Sequence, residues 1–261
     1  MPEGVEIELY RRATDSAIGR RIESVDAPDA FFVKGGASPV VVETDLVGRT
    51  VTGTDRVGKV LLVELNGEPA ALGLRFGMTG RLVVDGHAAI DQLEYSSGRD
   101  DPAWDRFSLK FADGGSLRVN DPRRLGGVEL APDLSAFGVD LFDATPARLR
   151  AALGASKVAL KTRLLDQRRI AGVGNLIADE TLWRAGLDPV RPAGSLSDTE
   201  IRRLSATLRR TANALLAAGG SHLGRLQPAR VRGGLCPRDG APLDRRTIGG
   251  RTSYSCPVHQ V

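Results

Sequence analysis

The hydrophobic pattern of this 261-residue chain changes near residue 140 and again at about residue 230, which points to an α+β architecture with a β-rich first half, a helical second half and a small C-terminal finger. Residues 3–18 read as a helix: Val5, Leu9, Ala13 and Ile18 share a face, Glu3, Glu6 and Glu8 suit its positive end, and Gly19 closes it. From residue 21 to about 130 the segments VTGTDRV, KVLLVEL, ALGLRFG, RLVVDG, RFSLKFA and SLRVND are short, β-branched and aliphatic, and separated by Gly, Asn or Asp. That spacing predicts an antiparallel sandwich or barrel, with a polar loop at 88–105. Past residue 140, LFDATPARLRAAL, KVALKTRLLDQRR, NLIADETLWRAG and SDTEIRRLSATLRRTANALLAAGG carry helical spacing. Asp143 or Thr145, Asn175 and Ser197 are the expected N-caps, and Gly186 and Gly219 the expected ends. After about residue 230, two Cys-bearing segments flank an Arg/Gly turn, the pattern of a small hairpin finger.

Charge follows the same division. Residues 1–150 carry 18 Lys+Arg against 24 Asp+Glu; residues 151–261 carry 18 against 8. A polyanion is the expected partner of the second half, nucleic acid the commonest one, although a solvated basic surface has the same composition. No apolar stretch approaches the roughly 18 residues of a membrane span. The N-terminus lacks an apolar signal core, and two cysteines cannot build a disulfide scaffold, so a reduced cytoplasmic setting is expected.

Several residues have chemistry to offer. Removal of Met1 would make Pro2 a terminal secondary amine, with a pKa of roughly 8. Such an amine attacks a sugar aldehyde carbon to give an iminium directly, and Glu3 beside it could manage protons. Pro-Glu also simply opens a helix well. In QRRIAGVGN a Gly-x-Gly turn leads into a helix at Asn175, where free N–H groups with Arg168 and Arg169 could hold a phosphate. Most such turns bind nothing. Cys236-x-x-Asp239 and Cys256-x-x-His259, sixteen residues apart, have zinc-ligand spacing; a metal-free finger, or three protein ligands with a water, fits it equally. Lys59 follows Gly58 at a strand start, either as a functional cation or as an edge charge. Met78 in RFGMTG and Arg123 and Leu125 in DPRRL read as turn tips that could wedge into a duplex and fill the gap of an extruded base.

Together these motifs resemble the Fpg/Nei family of base-excision DNA glycosylases, along the whole chain. PEGVEIE, GKVLLVEL, GMTGRL, DPRRLG, LLDQRRIAGVGNLIADETLWRAGLDP, AAGGSHL and GRTSYSCPVHQ occur in the family's order. The resemblance implies an N-terminal helix plus β-sandwich at 1–135, a helix–two-turn–helix module at 136–228 and a zinc-finger-like hairpin at 229–261. It implies Pro2 as Schiff-base nucleophile, Glu3 as proton donor in ring opening, Lys59 as phosphate ligand and proton donor around β-elimination, and Arg251 as the finger arginine on the lesion's phosphate. Asn175, Lys161 and Lys157 would hold the DNA backbone, and Met78, Arg123 and Leu125 would occupy the gap. The implied partners are damaged duplex and abasic-site DNA, met by a nucleoid-associated monomer with structural zinc and no small-molecule cofactor.

The departures from the family pattern are specific. Asp239 and His259 replace cysteines, Leu125 replaces an aromatic wedge, and Arg106 replaces a DNA-contacting histidine. Only fourteen residues separate Gly220 from Leu235, which shortens the loop that covers 8-oxoguanine in Fpg members. The PEG start looks Nei-like, and GMTG and DPRR look Fpg-like. On that balance oxidised pyrimidines are the expected lesion and oxidised purines the alternative. A member that binds damage without catalysis is the rival of another class.

Overall fold

The computed structural model describes residues 2–94 and 96–261. Met1, whose removal the expected Pro2 chemistry would require, and one position of the expected 88–105 loop lie outside them. The chain forms two compact units: Pro2 with Glu6–Ser135, and Glu3–Val5 with Ala136–Val261. Residues 229–261 thus fall within the second unit.

The first unit contains most of α1 (Gly4–Thr14), then β1 (Ile22–Asp26), α2 (Pro39–Leu46), β2 (Val51–Val57), β3 (Val60–Leu65), β4 (Ala71–Arg75), β5 (Arg81–Val84), β6 (His87–Ala88), β7 (Asp105–Phe111), β8 (Ser116–Asn120) and β9 (Gly127–Leu130). Two antiparallel sheets result, in the orders β1-β7-β8-β5-β6 and β2-β3-β4-β9. Their inward residues form one core: Leu61, Val63, Leu72 and Leu74 from one sheet, Leu82, Phe107, Leu109, Leu117 and Val119 from the other. Burial of each such side chain stabilises by about 1.5–3 kcal/mol. Ile7 and Tyr10 of α1 and Val42 and Leu46 of α2 join that core.

One segment departs from the strand pattern. PVVVETDL, a β-branched run inside the region that reads as strands, is the helix α2. Ser38 accepts the Val41 N–H and Pro39 opens the first turn, so the cap signals outweigh the propensity of three valines.

The second unit holds β10 (Val139–Asp140), α3 (Pro146–Leu153), α4 (Leu160–Leu165), β11 (Ile170–Ala171), α5 (Asn175–Ala185), α6 (Asp198–Ala218), and the hairpin β12 (Asp244–Ile248) and β13 (Arg251–Ser255). The caps at Thr145 and Ser197, and the left-handed ends at Gly186 and Gly219, occur as the sequence predicts. Helix α5 is buried from Leu176 to Trp183, its polar residues Asp179, Glu180 and Thr181 included. Buried carboxylates need partners, and those partners tie the finger to the helices.

At the start of α6, Ser197 and Glu200 form a capping box and Glu200 also pairs with Arg191 at 2.6 Å. The Arg191 guanidinium, then the Ser197 N–H, hold the Glu200 carboxyl at about 2, below its ordinary 4.5. A depressed acid stabilises the fold above its unfolded value and ceases to do so as pH falls toward the folded one. Glu200→Gln should therefore cost about 1 kcal/mol at neutral pH and flatten the loss of thermal stability between pH 4.5 and about 2, measured by calorimetry across that range.

Candidate functional site

In the first unit, two turns meet through one buried carboxylate. Asp121 is fully buried. One of its oxygens accepts from the Thr79 hydroxyl at 2.6 Å and the Arg123 N–H at 3.2 Å; the other accepts from the N–H groups of Leu125 and Gly126 at 2.8 and 2.9 Å. Asp121 thus fixes the 121–126 turn and joins it to the turn that carries Met78. A Cβ on Gly77 would lie 2.5–2.7 Å from Leu125, so only glycine permits the approach. Tyr10 of α1 anchors the Met78 turn, donating its hydroxyl to the Gly80 carbonyl at 3.1 Å and packing on Phe76.

The tips are accessible: Arg123 is exposed, Leu125 is 49% exposed and Met78 is partly so. Arg124, by contrast, is engaged in a two-pronged pair with Asp29 at 2.5 and 2.6 Å. Arg106 donates its Nε–H to the Asp121 carbonyl at 2.9 Å and braces the turn from beneath. Lys59 occupies the two-residue turn between β2 and β3, not the strand itself, and is half-buried.

In the second unit, the start of α5 is occupied by Glu3. The Leu176 and Ile177 N–H groups donate to the two Glu3 carboxylate oxygens at 2.8 and 3.0 Å. Charge on Glu3 suits the positive helix end. Gly174, the N-cap, has no side chain because a Cβ there would overlap the Glu3 carboxyl; one on Gly4 would overlap Leu141. The Gly4 N–H donates to the Gly172 carbonyl at 2.8 Å. Gln167 shapes the turn, accepting from the Gly172 N–H and donating to the carbonyls of Val173 and Leu165. These facts correct two expectations. Asn175 is the first helical residue, not the cap, and the N–H groups of Leu176 and Ile177 serve Glu3 and are closed to phosphate. Arg168 and Arg169 are exposed and line, with Arg148, a cleft of about 410 Å³.

Lys161 also differs from expectation. It has no exposed surface, and its ammonium pairs with Asp179 at 2.7 Å and donates to the Thr252 carbonyl at 3.2 Å. A buried ammonium so engaged does not reach a DNA phosphate; its task is internal. Burial lowers its pKa, with Asp179 opposing that shift. Asp179 accepts in addition from Ser253 Oγ at 2.9 Å, the Tyr254 N–H at 3.3 Å and the Arg230 guanidinium at 3.2 Å. Asn175 donates to the same Thr252 carbonyl at 3.1 Å. Four contacts thus seize the strand just after Arg251. That arginine is exposed beside the Gly249-Gly250 turn, and a Cβ on Gly249 would lie 2.7 Å from Thr162 of α4. Lys157 is exposed ahead of α4.

At the finger base, Cys236, Asp239, Cys256 and His259 place one ligand atom each within 4.8 Å of one another. Trp183 Nε1–H and the Arg238 N–H both point at Cys236 Sγ, at 3.3 and 3.4 Å, as donors do around a metal-bound thiolate. His259 Nε2 lies 3.2 Å from the Trp183 carbonyl, which directs Nδ1 toward the cluster, 2.7 Å from Asp239. His259 holds the Asp239 carboxyl far below the usual carboxylate range, while burial pushes the Cys256 thiol up. Two sulfurs, a carboxylate and an imidazole form a donor set that a tetrahedral dication fits.

Residues 1–128 match the formamidopyrimidine-DNA glycosylase N-terminal domain, and residues 137–225 match the formamidopyrimidine-DNA glycosylase H2TH domain. The chain belongs to the Fpg/Nei family of DNA glycosylases. It is 35% identical to the formamidopyrimidine-DNA glycosylase of Moorella thermoacetica over 94% of both chains, and 31% identical to that of an Exiguobacterium species over 98% of both. Among solved structures it resembles the Lactococcus lactis Fpg bound non-covalently to DNA containing an AP site, with a TM-score of 0.82 at 26% identity over 99% of each chain. A complex of the LlFpg protein with THF-DNA and an inhibitor gives a TM-score of 0.83, also at 26% identity, over 100% of each.

Within the family frame, the residues that sequence reading missed are the buried organisers Asp121, Asp179, Arg230 and Gln167. Only Asp121 had a sequence signal, as the first residue of DPRRL. Removing one partner of a buried ion cluster costs about 3–5 kcal/mol. Asp179→Ala should lower stability by that amount, read from the urea midpoint, whereas exposed Lys157→Ala should leave the midpoint within about 0.5 kcal/mol.

Proposed function

We propose that this glycosylase excises oxidised bases and cleaves the resulting abasic site through the nitrogen of Pro2. The observation that carries the reading is the seat built for Glu3. A buried helix start, two N–H donors and a glycine whose Cβ would strike the carboxyl fix the acid adjacent in sequence to that nitrogen.

The steps balance without an added cofactor. The Pro2 nitrogen, freed of Met1, bonds to C1′ as the base leaves with the glycosidic electron pair and is protonated, and the N–H proton that the nitrogen sheds passes to the Glu3 carboxylate. Opening of the C1′–O4′ bond, with protonation of O4′, leaves an iminium. Glu3, an anion on its helix, stabilises that cation and serves as the proton relay. The iminium acidifies C2′–H; loss of that proton expels the 3′-phosphate, and a second elimination expels the 5′-phosphate. Lys59 supplies a proton around the first elimination, and Arg251 and Asn175 bind the lesion's backbone phosphates. Met78, Arg123 and Leu125 enter the space that the flipped nucleotide leaves.

For the lesion, the similar proteins named above are formamidopyrimidine-DNA glycosylases, a name that supports oxidised purines as the first reading. That support ranks oxidised purines ahead of the oxidised pyrimidines expected from the sequence. One observation keeps oxidised pyrimidines as a second reading. The segment after α6 is short and bound down, the N–H groups of Arg225 and Leu226 donating to buried Glu180 at 3.1 and 2.8 Å. No long cover for a purine is available among these residues. Zinc is the proposed occupant of the Cys236, Asp239, Cys256 and His259 cluster, where it would stabilise the finger.

Borohydride should trap the wild-type protein on abasic-site DNA, and Pro2→Gly should reduce the adduct at least tenfold; intact mass should show loss of one methionine. No adduct with wild type removes the mechanism and favours a member that binds without catalysis. Gly174→Ala should displace Glu3 and slow nicking about 100-fold, since a misplacement of about 1 Å costs that much. Nicking of duplexes holding one formamidopyrimidine or one oxidised pyrimidine should favour the first; the opposite order selects the second reading. Elemental analysis of protein purified without chelator should give one zinc per chain, and zinc-free, folded, active protein rejects the structural metal.

A further inference from the structure

Phe31 is 62% exposed, and it is the single aromatic among the strongly exposed large hydrophobic side chains of the described residues. Its neighbour Phe32 is fully buried in the sandwich core, so the Phe-Phe pair divides between inside and outside. The conformation is fixed. Phe31 lies in the 3-10 turn Ala30–Phe32, where Asp29 accepts the Phe31 N–H at 3.1 Å. The same Asp29 carboxylate holds Arg124 of the 121–126 turn.

Segments 32–34 and 126–128 then run side by side. Val33 bridges Val128 in parallel, and the Lys34 N–H donates to the Val128 carbonyl at 2.8 Å. A Cβ on Gly126 would lie 2.9 Å from the Phe32 ring. In that register Phe31 stands beside the turn at Leu125. Cations surround the ring: Lys34 Nζ is 4.0 Å and Arg124 Cζ 5.5 Å from its centroid.

An exposed ring flanked by cations and set beside a wedge residue suits a nucleobase within a polyanion. Lys34 brings a cation for phosphate, Arg124 being paired with Asp29, and the exposed ring offers a surface for stacking. We infer that Phe31 is a further insertion residue, which stacks on the base left unpaired opposite the lesion and supplies the aromatic surface that Leu125 lacks. The inference rests on the proposed function, because it requires the 121–126 turn to enter the duplex.

The test uses the full-length protein and a duplex with a tetrahydrofuran abasic analogue opposite 2-aminopurine, beside an intact duplex of equal length at equal salt. Stacking contributions of 1–3 kcal/mol per base correspond to roughly 5- to 150-fold in affinity. Phe31→Ala should lower the ratio of abasic to intact affinity by about tenfold and change the 2-aminopurine emission of the complex. Phe31→Trp should keep the ratio, and Leu125→Phe placed in the Phe31→Ala protein should restore it. Equal affinity losses on both duplexes, or no loss on either, would overturn the inference. Borohydride trapping of wild-type protein on a duplex with a natural abasic site accompanies the series. Failure there sinks the glycosylase reading itself, whereas normal trapping with an unaltered Phe31→Ala ratio sinks only the role of Phe31.

Discussion

The first N–H groups of a helix have no partner within it, and at the start of α5 a carboxylate from the far end of the sequence supplies one. Glu3 accepts from Leu176 and Ile177, and the rest of the second unit is arranged so that it can. Gly174 leaves room for the carboxyl, and Gly172 turns with φ +91° to bring its carbonyl to the Gly4 N–H. Gln167 holds that turn in shape. The interaction serves stability and chemistry together. It satisfies the helix end, and it fixes the residue that follows the proposed nucleophile. An acid left on a loose N-terminal tail would sample many positions, and alignment for proton transfer would be rare.

Two further buried carboxylates do similar work. Asp121 collects two side-chain or backbone donors on one oxygen and two backbone donors on the other, and so shapes a turn whose tips stay exposed. Asp179 gathers Lys161, Arg230, Ser253 and the Tyr254 N–H, and so seats the strand that begins at Arg251. In each case the charged group is satisfied internally while the neighbouring residue faces outward. The buried charges hold the fold, and Arg123, Leu125 and Arg251 stay exposed.

Much of this was legible in the sequence, and the failures have a common cause. Period and caps located the sandwich, α3, α5, α6 and the finger hairpin, because those signals are local. The Cys-x-x-Asp and Cys-x-x-His spacing located the four-donor cluster for the same reason. Asn175 read as an N-cap because the true cap partner, Glu3, lies 172 residues earlier, beyond any local pattern. Lys161 was expected to hold DNA because the family resemblance implies that role; its burial depends on Asp179, which only tertiary structure brings near. The α2 helix was hidden by three valines whose propensity the Ser38 cap overrides. Asp121 and Asp179 act through several partners at once, and a linear sequence does not show such convergence.

The central claim is that the α5 helix start holds the Glu3 carboxylate. Amide hydrogen exchange at Leu176 and Ile177, compared between wild type and Glu3→Ala, tests it most directly. The account predicts that both amides exchange slowly in wild type and at least about tenfold faster in the variant, while the amides from Thr181 to Ala185 keep their protection. Equal protection of Leu176 and Ile177 in the two proteins would contradict it.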